Sequence, residues 1–177
     1  MIQKQQLIQL IEAYSENDSN KALTLLFLTK YDDFWSKKNT VGQITCACWV
    51  INKEHTKALM THHLKLNRWL QLGGHLERED NTIVDSCIRE LKEESGLNQF
   101  NLVSNDIFDM DVHKIPTSKK GVIEHFHFDI RMLFEADENE SIQFDKSESN
   151  NVMWMAFEDI LKLENASINR MVEKTQK

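Results

Sequence analysis

Residues 73–97, GGHLEREDNTIVDSCIRELKEESGL, decide the reading of this chain, because a double glycine stands ahead of a helix-forming run that carries Arg89, Glu90, Glu93 and Glu94. Positions three and four apart share one face of a helix, so the three glutamates project together while Ile83, Cys87 and Leu91 form an apolar stripe beside them. Unit charges about 5.5 Å apart repel by roughly 0.8 kcal/mol in water and by about 3 kcal/mol at an effective dielectric near 20, so partial burial makes the bare cluster unfavourable. A divalent cation reverses that sign. Hard oxygen ligands in an incomplete shell suit Mg²⁺, or Mn²⁺ in its place, since Mg²⁺ keeps several waters and takes its remaining ligands from substrate phosphates. Thr82 or Asn81 can cap the helix start, and Gly96 sits where a left-handed C-terminal cap is wanted. A lone E-x-x-E-E is usually a solvated helix face; the glycine pair, the arginine and the terminal Gly96-Leu97 argue against that here.

Working outward, residues 2–14 and about 20–36 read as helices, from Ile2, Leu7, Leu10 and Ile11 near the helical period and from the leucines at 23, 25, 26 and 28. From Ile44 the pattern turns to strands: ITCACWVIN, KALMTHH, and NRWLQLGG, which delivers the glycines. After the helix come DIFDMDVHKIP, a turn TSKKG at residues 117–121, then VIEHFHFDIRMLFEA, VMWMAF and a final helix from Glu158. Strands flanking one amphipathic helix, with helices before and after, make an α/β fold with a mixed sheet between helical layers. The division expected is an N-terminal helical extension at 1–40 and a main domain at 41–177.

The length of 177 residues fits one such domain with an extension, and the net charge of −7 with no basic stretch argues against a nucleic-acid or membrane surface. The first thirty residues carry Lys4, Glu12, Glu16 and Asp18, which leaves no secretory signal there, and a cytoplasmic location is expected. Cys46, Cys48 and Cys87 lack metal-ligand spacing and read as reduced core residues. A homodimer is compatible with this composition.

The strand from Ile123 to Phe134 puts Phe126, Phe128, Ile130, Met132 and Phe134 on one face and His125, His127, Asp129 and Arg131 on the other. Asp109, Asp111 and His113 alternate in the same way on the strand before it. If the two strands pair, their polar faces line one cleft; the competing reading is the solvent-facing side of a hairpin. A zinc site formed with His113, phosphate or base contact, and ordinary hydrogen-bonded surface are all open to His125 and His127. His75 is expected at the rim of the site. Trp69 is expected to pack on the glutamate helix, with base stacking as the other reading.

Arg89-Glu90-Leu91-Lys92-Glu93-Glu94-Ser95-Gly96-Leu97 resembles the second half of the Nudix hydrolase box, G-x5-E-x7-R-E-U-x-E-E-x-G-U, without a mismatch. The first half departs from it: five residues after Gly74 stands Asp80 rather than Glu, and eight residues rather than seven lead on to Arg89. Glu77, Glu79 and Asp80 therefore compete for the first acidic position. The resemblance covers roughly residues 41–165 and implies an α/β/α sandwich, a Mg²⁺- or Mn²⁺-dependent pyrophosphohydrolase, and a nucleoside diphosphate linked to another group X as substrate. By position it implies metal ligation by Gly73, Glu90, Glu93 and Glu94, and catalytic roles for Arg89, Glu90, Glu93 and an acid before the last strand. Glu148 is favoured for that acid over Glu124. THHLKLNRWLQLGGH and EHFHFDIR also look like segments of a bacterial Nudix subgroup, which favours His75, His125, His127, Asp129 and Arg131 as substrate-binding residues. Two alternatives are a catalytically silent nucleotide sensor of the same fold and an isoprenoid diphosphate isomerase with a cysteine in the cleft.

Overall fold

The central strand β1 (Gly42–Asn52) is buried along its whole length and sends alternate side chains into two different cores. A strand covered on both faces reads as a continuous apolar run, which is what ITCACWVIN shows. The computed structural model describes residues 1–16, 18–117, 121 and 123–177. Helices α1 (Lys4–Ala13) and α2 (Ser19–Lys30) precede β1; β2 (Lys57–His63), β3 (Arg68–Leu70) and β4 (Leu72–His75) follow it and lead to α3 (Ile83–Ser95). Then come β5 (Phe100–Leu102), β6 (Asp109–Ile115), β7 (His125–Ala136), β8 (Ser149–Ala156), the short α4 (Phe157–Ile160), a 3₁₀ turn and α5 (Ala166–Thr175).

These strands form one eight-stranded mixed sheet. β7 lies parallel to β1, while β4 and β2 share its other edge antiparallel, β4 against Thr45–Cys48 and β2 at Ile51. On one face Ile44, Cys46, Cys48 and Val50 join Phe128, Ile130, Met132 and Phe134 of β7 under α1, α2 and α3. On the other, Trp49 and Ile51 meet Ile168, Met171 and Val172 of α5. The result is an α/β/α sandwich in which the N-terminal helices share a layer and a core with α3. Burial of each such large apolar side chain contributes about 1.5–3 kcal/mol.

Helix α3 is closed by local chemistry at both ends. The Thr82 hydroxyl accepts from the Asp85 N–H at 3.0 Å and the Asp85 carboxylate accepts from the Thr82 N–H at 3.0 Å, a reciprocal capping box. Gly96, at φ +71°, ends the helix in the left-handed conformation.

Several expected boundaries move. The second helix stops at Lys30 rather than 36, because Asn39 bonds Asp33 and the Val41 N–H and so folds residues 31–41 into a fixed turn. NRWLQLGG divides at Gln71 into two strands with different partners, β2 for the first and β1 for the second. The three-residue β5 was not foreseen, and the turn TSKKG lies, apart from Thr117 and Gly121, outside the described residues. No helix among the described residues is long and apolar enough to cross a membrane.

Candidate active site

The amphipathic stripe of α3 lays Cys87 and Leu91 on the sheet and brings Glu90 and Glu94 against β4. Glu94 Oε2 accepts a hydrogen bond from the Gly73 N–H at 2.8 Å. Gly74 faces Glu90, and a Cβ at this position would stand 2.6 Å from Oε1. Gly73, at φ +139°, approaches β1 so closely that a Cβ would collide with the Cys46 carbonyl. The glycine pair is thus required twice, once by the backbone of β1 and once by a carboxylate.

Arg89 ties the helix to the loop before it. One guanidinium nitrogen donates to Glu90 at 2.9 Å and to Glu93 at 3.2 Å; the other donates to the His75 carbonyl at 2.8 Å and to Asp80 at 3.1 Å. Asp80, 4% exposed, also accepts from the Ser86 hydroxyl at 2.7 Å and the Glu77 N–H at 2.8 Å. Burial opposes ionisation of Asp80, but Arg89, the Glu77 amide and Ser86 together hold its carboxyl below the usual range. Of the three acids competing for the first position, Asp80 makes this pairing, whereas Glu77 stands 3.9 Å from Arg89 and Glu79 is exposed.

Electrostatics at the glutamates run the opposite way. Burial pushes the Glu94 carboxyl up to about 8, opposed by the Gly73 amide and reinforced by the charges of Glu90, Glu148 and Glu93. Burial also raises Glu90, with Arg89 opposing and Glu93 and Glu148 reinforcing. Glu148, exposed immediately before β8, therefore lies within electrostatic reach of both. Glu93 is mostly exposed. Partly buried oxygen donors that repel one another, with one arginine shared among them, fit a hard divalent cation. Among the described residues no three His, Cys, Asp or Glu side chains converge as a ready-made cage. Arg89 holds Glu90 aside and the Gly73 amide holds Glu94, which suits an ion that draws its remaining ligands from water and phosphate.

A second group of polar side chains lies on the other face of β4 and β1. β6 and β7 pair in the register that sets Asp109 opposite Arg131, Asp111 opposite Asp129 and His113 opposite His127. β4 then brings in His75, whose ring centroid is 5.1 Å from that of His127. His125 and His113 flank His127 at 5.1 and 5.6 Å. His125 Nδ1 donates to the Ile123 carbonyl at 2.8 Å, and its Nε2 lies 3.2 Å from His127 Nε2. Burial pushes His75 down to about 4, with the charges of Lys37 and His125 adding, and pushes His127 down to about 3. Asp129, 6% exposed, is bonded by the Thr45 hydroxyl and lies 3.5 Å from Gln71 Nε2. Gln43, on the same face beside His127, is 4% exposed and its Oε1 has no hydrogen-bond partner. The two groups meet along β4, Gly74 against Glu90 and His75 against His127.

Burial corrects part of the sequence reading. The polar face of β7 is not a solvent-facing hairpin, since His125, Asp129 and Arg131 are all at most 9% exposed. Arg131 does not join the histidines as a substrate contact: at 2% exposure it is committed to Asp109 at 2.9 Å, Asp111 at 3.4 Å and Asp129 at 3.6 Å beneath α5. Trp69 packs with the core under α5 and edge-on to His62, not against α3. Cys46 and Cys48 are 1% and 0% exposed; the neighbouring Cys87 and burial hold the Cys46 thiol well above its ordinary value, and burial raises that of Cys48. Neither offers the cleft thiolate that the isomerase alternative needs. The place of His75 beside His127 was not legible, because it depends on β1 lying between β4 and β7.

A family model described as the NUDIX domain matches residues 42–174. That match covers most of the chain, and the chain belongs to the Nudix family. Its structure is similar to that of an Ap4A hydrolase binary complex from C. elegans, at 17% identity and a TM-score of 0.58 over 75% of this chain and 94% of that one. A NUDIX-family hydrolase from Clostridium perfringens matches at 22% identity and 0.58 over 75% and 95%. The NUDIX domain of Shewanella oneidensis NrtR, complexed with ADP ribose, matches at 15% and 0.52 over 85% and 95%. Comparison with curated proteins gives no match.

Proposed function

We propose that the chain hydrolyses a pyrophosphate bond in a nucleoside diphosphate linked to a group X, in a reaction that depends on Mg²⁺ or Mn²⁺. The observation that carries this reading is the pressing of Glu90 and Glu94 onto Gly74 and Gly73, with Arg89 bonded to Glu90 but not to Glu94. Glu90, Glu93, Glu94 and the Gly73 backbone would hold the cation. When bound, the cation supplies neutralisation of the diphosphate oxygens and a water of lowered pKa. Arg89 fixes Glu90 while bonding the His75 carbonyl, so the helix carboxylates and the glycine turn move as one piece. Glu148 would take the proton from the attacking water; its exposure and the reach of its charge to both buried glutamates support this role.

His75, His125, His127 and Asp129 form the wall for the nucleotide-like part of the substrate. The unpaired Gln43 Oε1 supports a ligand on this face, since buried polar atoms are nearly always bonded. An Ap4A hydrolase and a NUDIX domain complexed with ADP ribose among the similar structures are consistent with such a substrate. The negative charge without a basic stretch supports a small molecule over a nucleic acid, and three buried free cysteines support a cytoplasmic setting.

The test is a screen of nucleoside diphosphate derivatives with Mg²⁺, in excess chelator, and after Mg²⁺ is restored. Turnover that vanishes in chelator and returns with the metal is expected. Undiminished hydrolysis in chelator would sink the mechanism, and metal-dependent binding with no turnover of any compound would favour the silent sensor.

A further inference from the structure

The turn between α2 and β1 and the loop between β4 and α3 flank an open groove of about 420 Å³ that the site described above does not use. Trp35, Lys37 and Lys38 line one side; Leu76, Arg78 and Glu79 line the other. That volume falls within the range of small-molecule clefts, about 300–1,000 Å³. Its floor is apolar, from Leu76 and the half-buried Trp35, and its rim carries the exposed cations Lys37, Lys38 and Arg78. Two carboxylates share the loop, but Glu77 is turned toward Arg89 at 3.9 Å, which leaves the rim net positive on a chain of net charge −7.

The groove is built, not draped. Phe34, 3% exposed, anchors the turn in the core, and its carbonyl accepts from the Ile44 N–H at 2.8 Å. Asn39, 6% exposed, bonds Asp33 at 2.8 Å and the Val41 N–H at 3.0 Å. The opposite wall is the loop whose two ends are fixed by Arg89, at the His75 carbonyl and at Asp80. The groove is linked to the catalytic residues by charge. Glu77 connects it through Arg89 to Glu90, and Lys37 is near enough for its charge to disfavour protonation of His75. The Trp35–Lys38 wall lies outside residues 42–174, so it is supplied by the extension and not by the family domain.

We propose that this groove is a second nucleotide subsite, which makes the group X of the substrate a second nucleoside phosphate: its base lies on Trp35 and its phosphate against Lys37, Lys38 and Arg78. Stacking of a base on an accessible aromatic face is worth about 1–3 kcal/mol, and lysines beside it select a phosphate over a neutral sugar. The proposal rests on the pyrophosphohydrolase reading above.

Calorimetric titration of the full chain in excess chelator, with diadenosine tetraphosphate and with ADP-ribose as probes, tests it apart from catalysis. Lys37→Ala and Trp35→Ala should each weaken the dinucleotide by tenfold or more and ADP-ribose by less than twofold, while Trp35→Phe retains most of the affinity. Glu94→Gln should leave this contrast intact. With Mg²⁺, Lys37→Ala should raise KM for the dinucleotide at unchanged kcat. Equal weakening of both probes, weakening of neither, or no measurable binding of the dinucleotide would overturn the subsite. If the contrast holds but no nucleotide is hydrolysed, the catalytic reading fails and the subsite stands; hydrolysis without the contrast has the opposite meaning.

Discussion

Two clusters of half-buried and buried carboxylates lie in this molecule, and they are built on opposite rules. Around α3, Arg89 pairs with Glu90 and Glu93 and is also committed to Asp80, while Glu94 and Glu148 have no pairing with it, and the two most enclosed carboxyls, Glu90 and Glu94, are pushed up. Under α5, Asp109 alone receives Arg131 at 2.9 Å, Arg170 at 2.8 Å and Lys174 at 2.6 Å. There, burial is overcome by Arg170, Arg131 and Lys174, and the Asp109 carboxyl is held below its ordinary range. The same cations and His113 hold Asp111 down against burial as well. Desolvation is the largest contribution in both places, so burial does not distinguish them. The supply of cations does. A cluster left short of cations fits the proposed uptake of one from solution; a saturated cluster fastens α5, β6 and β7 and reaches the N-terminal extension through Lys174, Tyr14 and Glu16.

The strongest way to break this comparison is to remove the hub of the saturated cluster. Asp109→Asn leaves Arg131 and Lys174 buried without their shared counter-charge, and stability should fall by about 3–5 kcal/mol in urea unfolding. The folded fraction should keep the wild-type kcat, because no group of this cluster touches the glutamates. A stability loss below about 1 kcal/mol would show that the network is not the fastening it is taken for.

Next in size is the converse substitution. Glu94→Gln keeps volume and helix propensity but removes the charge proposed to hold the cation, so kcat should fall on the order of 10² or more. Stability in chelator should stay level or rise, since a repelling buried acid has been replaced by a neutral group. Equal losses of kcat in Lys92→Ala, whose side chain is exposed on the same helix, would show that the carboxylates are not special.

These two clusters were unequally visible in the sequence. Glu90, Glu93 and Glu94 are neighbours within one helix, so periodicity alone puts them together, and the caps at Thr82 and Gly96 are equally local. Asp109 and Arg131 were placed on polar strand faces correctly, yet what covers those faces was not readable, because Arg170 and Lys174 arrive from a helix some forty residues further on. Alternation gives the face of a strand but not the partner above it. The same limit hid His75 beside His127, which depends on strand order, and the Trp35–Lys38 turn, whose leucine-rich approach was read as continuing helix. Arg89 is intermediate: its role beside the glutamates is what the family resemblance implies, while its bonds to Glu90 and Asp80 needed the loop conformation.

Acidification should separate the histidine group from the aspartates. His75 and His127 are held down to about 4 and about 3, so below their ordinary value near 6.5 the unfolded chain takes up protons that the folded chain refuses. Stability should therefore fall as pH drops from 6.5 toward 4, at no more than about 1.4 kcal/mol per pH unit for each histidine. His113, held up by its bond to Asp111 against burial, contributes with the opposite sign, as do Glu90 and Glu94. Comparing wild type with His127→Gln removes those shared contributions, and the variant should show the shallower loss. Asp109 and Asp111 enter only below about 3.8, where their depressed carboxyls begin to give up the stability present at higher pH. Identical slopes for both proteins between pH 6.5 and 4 would mean that His127 titrates freely.

The smallest effect comes from an ion pair whose length matches those of the network. Lys114 Nζ lies 2.7 Å from Glu124 Oε1, against 2.6 Å for Lys174 and Asp109, but both side chains are about half exposed, 54% and 49%. Water screens such a pair and already solvates each partner, so Glu124→Gln should change stability by no more than about 0.5 kcal/mol. Glu124 was also the runner-up to Glu148 for an acid at the catalytic centre, and its bond to Lys114 turns it to the outer edge of the β6–β7 pair. Wild-type kcat and KM are therefore expected for Glu124→Gln, while Glu148→Gln loses kcat. A loss of kcat at Glu124 as large as that at Glu148 would overturn the assignment of the proton acceptor, and would show that the cation-poor cluster extends further along the sheet than its buried glutamates.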